Sequence, residues 1–508
     1  MAAEPVRHAA GRPRGWRSPL AQTVLGGGLI AAVCLATADI EIAAVDPWRE
    51  LGRLAGGLFP PDFLGVDKLG EALLLTAAFA ILGVAAANAL GFLLALAFHL
   101  AAVRVFAAAV RAVHELFWAL IFLQFFGLSP LTGLLAIAVP YAGVFAKVYA
   151  EILEEQDAAP LQSAPAGAGP VSLFLFVRLP EALPHFRTYS LYRLECGLRT
   201  SAILGFLGMP TLGYHLETAF GEGQYGVVWA LLIVFYVLIA TVRVWARARL
   251  LPVYLVGAAL ALPWERVVAG VDVWRFLTHD ILPHPLRRAE TIDLAALQAT
   301  ADWFGTLMAE QALPGALAAL QLSMIALVAT GLLAFLAFPL VSPLFFRRRG
   351  RIAGHVALVI VRSTPEYVLA YVLLQIWGPS MLPAIVALSL HNGAIIGHLV
   401  GRFTETIRLA PDAPVGVDRY FWTAVPAVYR QALAFLLYRW EVIVRETAIM
   451  GFLGVATLGF YIDSAFADIR YDRAFVLIAA TALMNVGVDM ISRRVRRRLR
   501  LTTRIAVR

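Results

Sequence analysis

Residues 190–214 read SLYRLECGLRTSAILGFLGMPTLGY, and residues 436–460 read LLYRWEVIVRETAIMGFLGVATLGF. Aligned without a gap, 14 of these 25 positions are identical, where chance in so biased a composition gives about two. The match extends outward: Ala219-Phe220 meets Ala465-Phe466, Tyr225 meets Tyr471, and Leu179-Pro180 meets Val425-Pro426. Upstream, with the offset shifted by a few residues, Arg111, Glu115, Gln124 and Gly127 meet Arg362, Glu366, Gln375 and Gly378. The chain carries two copies of one unit, and its reading starts there.

Composition says what kind of unit this is. Of 508 residues, 60% are apolar and 15% charged, against about 45–50% and about 25% in soluble domains. The 40 glycines and 27 prolines fall within the apolar stretches, a habit of membrane helices. A soluble globule could not hide so much apolar surface, which excludes an ordinary cytosolic enzyme. The chain reads as an all-α polytopic membrane protein.

The net charge of +8 comes from Lys68, Lys147 and otherwise arginine. The arginines cluster at the edges of apolar runs, as at Arg347-Arg348-Arg349 and in the tail from Arg493 to Arg500. This is the pattern of anchors on anionic lipid at a cytoplasmic face, not of a nucleic-acid-binding stripe. Cys34 and Cys196 lie singly in apolar segments and suggest neither a disulfide framework nor a metal site. Lys68 is followed by Leu69 and Lys147 by Val148, so the phosphate-binding loop G-x-x-x-x-G-K-[ST] is absent. No cofactor is expected in this chain, and any ATP driving it is hydrolysed by another.

A hydrocarbon core about 30 Å thick needs about 20 helical residues. Twelve spans are expected: 17–38, 70–99, 112–127, 131–150, 187–208 and 226–242 in the first half. Those of the second half are 251–269, 314–341, 360–377, 381–400, 433–454 and 474–491. The third and ninth are short. The segments Ile40–Lys68 and Gly270–Pro314 are acidic, whereas Arg243, Arg247, Arg249, the triplet at 347–349 and the tail are basic. With both termini cytoplasmic and the first span uncleaved, every basic cluster falls inside and both acidic loops outside. Each copy then holds six spans starting and ending on one side, so the repeats are parallel, with a path between them. The expected units are 1–248, with its core repeat at about 70–248, and 249–508, with its core at about 314–494.

The longest internal cytoplasmic loop of each copy lies between its fourth and fifth spans, at 151–186 and 402–432. The first loop resembles the coupling segment of bacterial ATP-binding-cassette (ABC) import permeases, roughly E-A-A-x3-G-x9-I-x-L-P. Gly167, Val177, Leu179 and Pro180 match it, while Leu161, Gln162 and Ser163 replace E-A-A. The second copy keeps Val425 and Pro426, with Ala413 at the glycine position. In this pattern a short helix lies across the membrane face, and Leu-Pro turns the chain back into the bilayer.

The block LYRLE…R…AILGFLG…LGY and the segment LSLHNGAIIGHLVGRFTE (388–405) resemble the phosphonate-type permease family. Its members are usually single-copy and pair as homodimers, so this chain resembles two permease units fused. The resemblance implies a type I ABC importer transmembrane domain in the bacterial inner membrane, moving phosphonate, phosphite or a related phosphorus oxyanion. It also implies two copies of a nucleotide-binding subunit, using ATP and Mg, and a periplasmic solute-binding protein.

Charges within spans need partners or water. Glu195 and Arg199 are spaced i,i+4, and Glu441 and Arg445 repeat this, with Tyr192-Arg193 and Tyr438-Arg439 nearby. Arg199 and Arg445 are candidates for weak, transient attraction of a passing oxyanion, because guanidinium matches phosphate. A structural ion pair locking the fifth span is the plainer alternative. The pair Arg111–Glu115, like Arg362–Glu366, reads as a snorkelling anchor. His391, opposite Tyr141 of the first copy, is a buried histidine or a pathway residue. Gly205, Gly208 and Gly213, with Gly451, Gly454 and Gly459, are candidates for a gate or hinge, or for tight packing.

The alternative function is a secondary, ion-coupled transporter of major-facilitator type. That class would place its long cytoplasmic loop between the halves, where this chain has only Arg243–Pro252. A membrane-embedded enzyme lacks any H-E-x-x-H or cysteine-cluster motif.

Overall fold

A computed structural model describes residues 19–43, 46–156, 160, 163, 165, 167–264, 273–407, 409 and 413–501. Leu161, Gln162, the start of the first expected span (17–18) and the end of the seventh (265–269) lie outside the described residues. Every element among the described residues is helical. The chain forms two compact units, one of residues 51–282 and one of residues 1–50 with 283–508.

Ahead of the first repeat lie helix α1 (Pro19–Thr37), which falls in the second of these units, and the amphipathic α2 (Pro47–Gly56). The repeat begins with α3 (Leu69–Leu96), followed by α4 (Ala101–Ala112), α5 (Glu115–Phe126) and α6 (Pro130–Glu154). It continues with α7 (Leu179–Ile203), α8 (Leu212–Gly221) and α9 (Tyr225–Ala240). Helices α3 and α6 pack backbone to backbone because their facing residues are small. A methyl on Gly83 would lie 2.8 Å from Ile137 Cβ, and one on Gly91 2.9 Å from the Ala142 carbonyl oxygen. Such close approach is how membrane helices gain dispersion energy when lipid offers no hydrophobic drive.

Helix α10 (Leu251–Ala261) leads into the second repeat, and α11 (Leu294–Leu307) runs through a π-type turn into α12 (Leu313–Ala337). The exterior loop expected up to residue 314 therefore ends in helix. Next come α13 (Arg348–Ser363), α14 (Glu366–Trp377) and α15 (Met381–Phe403). The chain closes with α16 (Val425–Phe452), α17 (Leu458–Ala467) and α18 (Tyr471–Arg498). Here the small residues sit on α15: a methyl on Gly393 would lie 2.8 Å from Leu333 Cβ, and one on Gly401 2.8 Å from the Phe338 carbonyl oxygen.

The short third and ninth spans have a structural cause. Helices α4 and α5 meet at 92°, and α13 and α14 at 83°. The first bend falls where His114 leaves helical geometry and its Nδ1 accepts the Leu116 amide at 3.1 Å. The second falls at Thr364, which precedes Pro365 and is held at φ −67°, ψ 121°. Six helices among the described residues are long and apolar enough to cross a membrane, or eight if each bent pair is one span. The chain is thus a multi-pass membrane protein, but twelve spans do not all carry that signature. Helices α9 and α10 are short, and α7 and α16 carry several charges.

The expected Leu-Pro elbow is not a break. Residues Pro170–Leu173 continue through a π-type turn, Phe174–Arg178, directly into α7. Pro180 has no N–H to give, and the Leu179 amide reaches back five residues to the Phe174 carbonyl. The second copy repeats this device, with the Val425 amide on the Tyr420 carbonyl ahead of Pro426.

The compact units do not follow the repeat boundary. Helix α1 packs on α12 of the second repeat, where Gln321 Nε2 donates to the Cys34 carbonyl at 2.9 Å and to Thr37 Oγ1 at 3.0 Å. Helix α10, which precedes the second repeat in the chain, packs on α3 of the first, burying Ala258 and Leu262 in the cluster around Leu75 and Phe79.

Candidate functional site

In each repeat the charged helix, α7 or α16, brings its polar side chains against the fourth span and the start of the bent third. In the first repeat Thr200 Oγ1 stands 3.0 Å from Tyr141 OH and donates to Glu115 Oε1 at 3.3 Å. Thr200 and Tyr141 are each 5% exposed. The corresponding residues of the second repeat are Glu446, His391 and Glu366, a change from two hydroxyls and one carboxylate to two carboxylates and an imidazole. His391 Nδ1 lies 2.9 Å from the Thr364 carbonyl, freed by the bend, and Nε2 lies 3.6 Å from Glu366 Oε2. A carbonyl only accepts, so Nδ1 carries a hydrogen. The opposite contact is attractive only with a proton between Nε2 and the carboxylate. Asn392, fully buried, donates to Glu446 Oε2 at 3.2 Å.

This arrangement corrects the anchor reading of the third and ninth spans. The side chains of Glu115 and Glu366 are only 18% and 14% exposed, and their carboxylates reach Thr200 and His391 inside the protein. Sequence reasoning missed Asn392 and the partnership of Glu446 with residues on other helices. The one available signal was that Thr200 and His391 both break the match between the copies.

The expected i,i+4 ion pairs Glu195–Arg199 and Glu441–Arg445 do not form. Glu195 and Glu441 make no hydrogen bond or ion pair among the described residues, and Arg199 Nη2 contacts Cys196 Sγ at 3.4 Å. Arg193 is held among tyrosines. Its Nε donates to Tyr189 OH at 2.8 Å, and its guanidinium lies 5.3 Å from the Tyr141 and Tyr189 ring centres and 5.7 Å from that of Tyr192. In the second repeat the matching aromatic positions are His391, Phe435 and Tyr438. Arg439 Nε there is buried with no hydrogen-bond partner among the described residues, and Tyr438 instead stacks with Arg496 at 5.6 Å.

The Arg193→Lys variant keeps the charge and loses the planar cage, for an expected loss of about 1–2 kcal/mol. Arg439→Lys should change less. Thermal unfolding of the two purified variants checks this, and equal losses would count against the cage.

The glycine blocks have a definite geometry. Helix α7 ends in a 3-10 turn, Leu204–Leu207, and reverses at Gly208, whose φ of 88° favours glycine. The chain then returns so closely that a methyl on Gly213 would overlap the Ala202 carbonyl oxygen, and one on Gly205 the Tyr214 amide. The second repeat reproduces this: φ is 92° at Gly454, a methyl on Gly459 would overlap the Ala448 carbonyl oxygen, and one on Gly451 the Phe460 amide. Both turns are main chain packed on main chain.

In the coupling segments, Gly167 has φ 105°, and Val177, Leu179 and Pro180 lie on the continuous helix. Val425 and Pro426 occupy the same place in the second copy, where Gly416 adopts the left-handed geometry at φ 63°. Gly416 lies three residues after Ala413, so a motif count anchored on Pro426 passes over it.

The helices and the charged segments of each repeat make this a multi-pass membrane protein. Comparison with curated proteins gives the narrower answer. The chain is 31% identical over 241 residues to the phosphite transport system permease protein PtxC of Stutzerimonas stutzeri, covering 45% of this chain and 87% of that one. It is 26% identical over 419 residues to the phosphate-import permease protein PhnE of Mycolicibacterium smegmatis, covering 77% of this chain and 76% of that one. It is 33% identical over 131 residues to the putative phosphite transport system permease protein HtxE of Stutzerimonas stutzeri, covering 26% of this chain and 50% of that one. The chain belongs to the phosphonate-type permease family of ABC importers. The first relative matches less than half of this chain with most of its own length, and the second matches most of both. No family model matches the chain, and no solved structure matches it.

Proposed function

We propose that this chain supplies both transmembrane halves of an ABC importer, moving a phosphonate, phosphite or related phosphorus oxyanion into the cytoplasm by alternating access. The observation that carries this is the repeated LYR-E-R-GFLG-LG block, together with relatives whose names specify phosphite, phosphate or phosphonate transport. In this reading the chain is two permease units, 1–248 and 249–508, each a six-helix repeat of type I architecture. The repeats run parallel, with twelve spans in the inner membrane and both termini cytoplasmic. The bent pairs, the two short apolar helices and the two charged helices supply the spans that lack a simple apolar signature.

The chain is a transport subunit without its own ATPase site. Two copies of a nucleotide-binding subunit, using ATP and Mg, dock on the segments around Gly167, Val177, Leu179 and Pro180 and around Val425 and Pro426. A periplasmic binding protein delivers the solute. Arg199 and Arg445, with Tyr192, Arg193, Glu195, Tyr438, Arg439, Glu441 and His391, attract the oxyanion weakly in passing. The close turns at Gly205–Gly213 and Gly451–Gly459 are the points about which the charged helices pivot.

Purification from the native membrane tests the proposal. An ATPase should co-elute at two copies per permease, with activity stimulated by the binding protein and a phosphonate or phosphite. A lone chain that transports in proteoliposomes on an ion gradient alone would overturn the importer in favour of a secondary carrier.

A further inference from the structure

The second repeat carries a cationic cluster that its partner repeat lacks. His398, near the end of α15, is 6% exposed, and its Nδ1 is buried with no hydrogen-bond partner among the described residues. Buried polar atoms are almost always satisfied, so an unsatisfied imidazole nitrogen calls for an explanation. The ring of His398 lies 4.9 Å, centre to centre, from that of His355 on α13. Arg362 and Arg402 act electrostatically on the same imidazole. His355 and Arg402 are exposed, so the cluster opens to the surface. The carboxylate closest to it in sequence, Glu405, lies 4.0 Å from Arg351.

In the first repeat the positions of His398 and Arg402 are occupied by Val148 and Ile152. Common packing needs of the two repeats therefore do not account for the cluster. Two guanidinium groups beside the imidazoles repel a metal ion and favour a tetrahedral oxyanion.

We infer that His398, His355, Arg362 and Arg402 form a binding site for one phosphate group, carried by an anionic lipid headgroup or by free phosphate. His398 Nδ1–H donates to a phosphate oxygen, and the arginines balance its charge. The site stands independently of the importer reading, which only assigns it to the cytoplasmic face.

The test uses the purified full chain in two arms. In neutral detergent, inorganic phosphate is titrated against chloride at matched ionic strength while thermal unfolding is followed. In nanodiscs of phosphatidylcholine doped with phosphatidylglycerol, native mass spectrometry counts the anionic lipid retained. One arm should show binding at a single site, about tenfold weaker in Arg402→Ile, as for loss of one charge-assisted contact. His398→Val should abolish it. A phosphate-dependent shift identifies the free anion, and retained phosphatidylglycerol identifies the headgroup. Arg402 is exposed, so Arg402→Ile gives a readout even where His398→Val fails to fold. Absence of binding in both arms, binding equal in wild type and Arg402→Ile, or stabilisation by zinc in place of phosphate overturns the assignment.

Discussion

Gly213→Ala and Gly459→Ala should each reduce the yield of folded, monodisperse protein by an order of magnitude or more. Overpacking relieved by side-chain movement costs about 1–3 kcal/mol. Here the added methyl lands on a main-chain carbonyl oxygen, of Ala202 or Ala448. The backbone has to move, so the cost lies at or above the top of that range. Gly208→Ala and Gly454→Ala face only the left-handed backbone penalty, about 1–2 kcal/mol. In place of an overlap, a methyl on Gly208 meets only the Leu128 side chain at 3.6 Å, and one on Gly454 meets nothing. Size-exclusion profiles in mild detergent separate the two classes. Normal yields of Gly213→Ala would show that the two strands of the turn are not in main-chain contact.

The second large effect is expected at the Glu366–His391–Glu446 cluster. Replacing His391 by Leu removes the group facing the half-buried Glu366, beside the buried Glu446. Breaking a buried charged pair by removing one partner costs about 3–5 kcal/mol. The double variant His391→Tyr/Glu446→Thr installs the first repeat's residues, Tyr141 and Thr200, at the equivalent sites. It should recover much of the stability lost in His391→Leu, because the tyrosine hydroxyl and the threonine hydroxyl can pair as Tyr141 and Thr200 do. Unfolding midpoints of wild type, His391→Leu and the double variant check both statements. A destabilised double variant would mean that the two clusters do not occupy equivalent environments.

Much of the fold is legible in the sequence because its determinants are local. The duplicated block, the apolar runs and the arginine edges are contiguous features, and they locate the two repeats without any tertiary information. The bends were legible only as short spans. His114 and Thr364-Pro365 decide them through a side-chain cap and a proline restriction that do not alter hydropathy. The Leu-Pro pair reads as an elbow because proline commonly ends a helix, whereas a five-residue reach-back keeps this chain helical.

The polar clusters were the least legible part. Their members come from three helices, and i,i+4 spacing on one helix pointed instead to Glu195–Arg199 and Glu441–Arg445. Arg199 instead contacts Cys196, and Arg193 is held partly by Tyr141 of another helix. A half-buried side chain takes the partner that the packed helices offer, and sequence spacing holds no information about that choice.

The exchange of leading helices has a bearing on how such a chain could arise and come apart. Helix α1 precedes the first repeat in the chain but packs with the second, and α10 precedes the second repeat but packs with the first. Each compact unit is therefore a mosaic of both copies, in the manner of reciprocal domain swapping. A cut in the linker near residue 249 would separate the genes of the two halves without separating their folds. Neither fragment alone holds every helix of one unit, so each would be obliged to find the other.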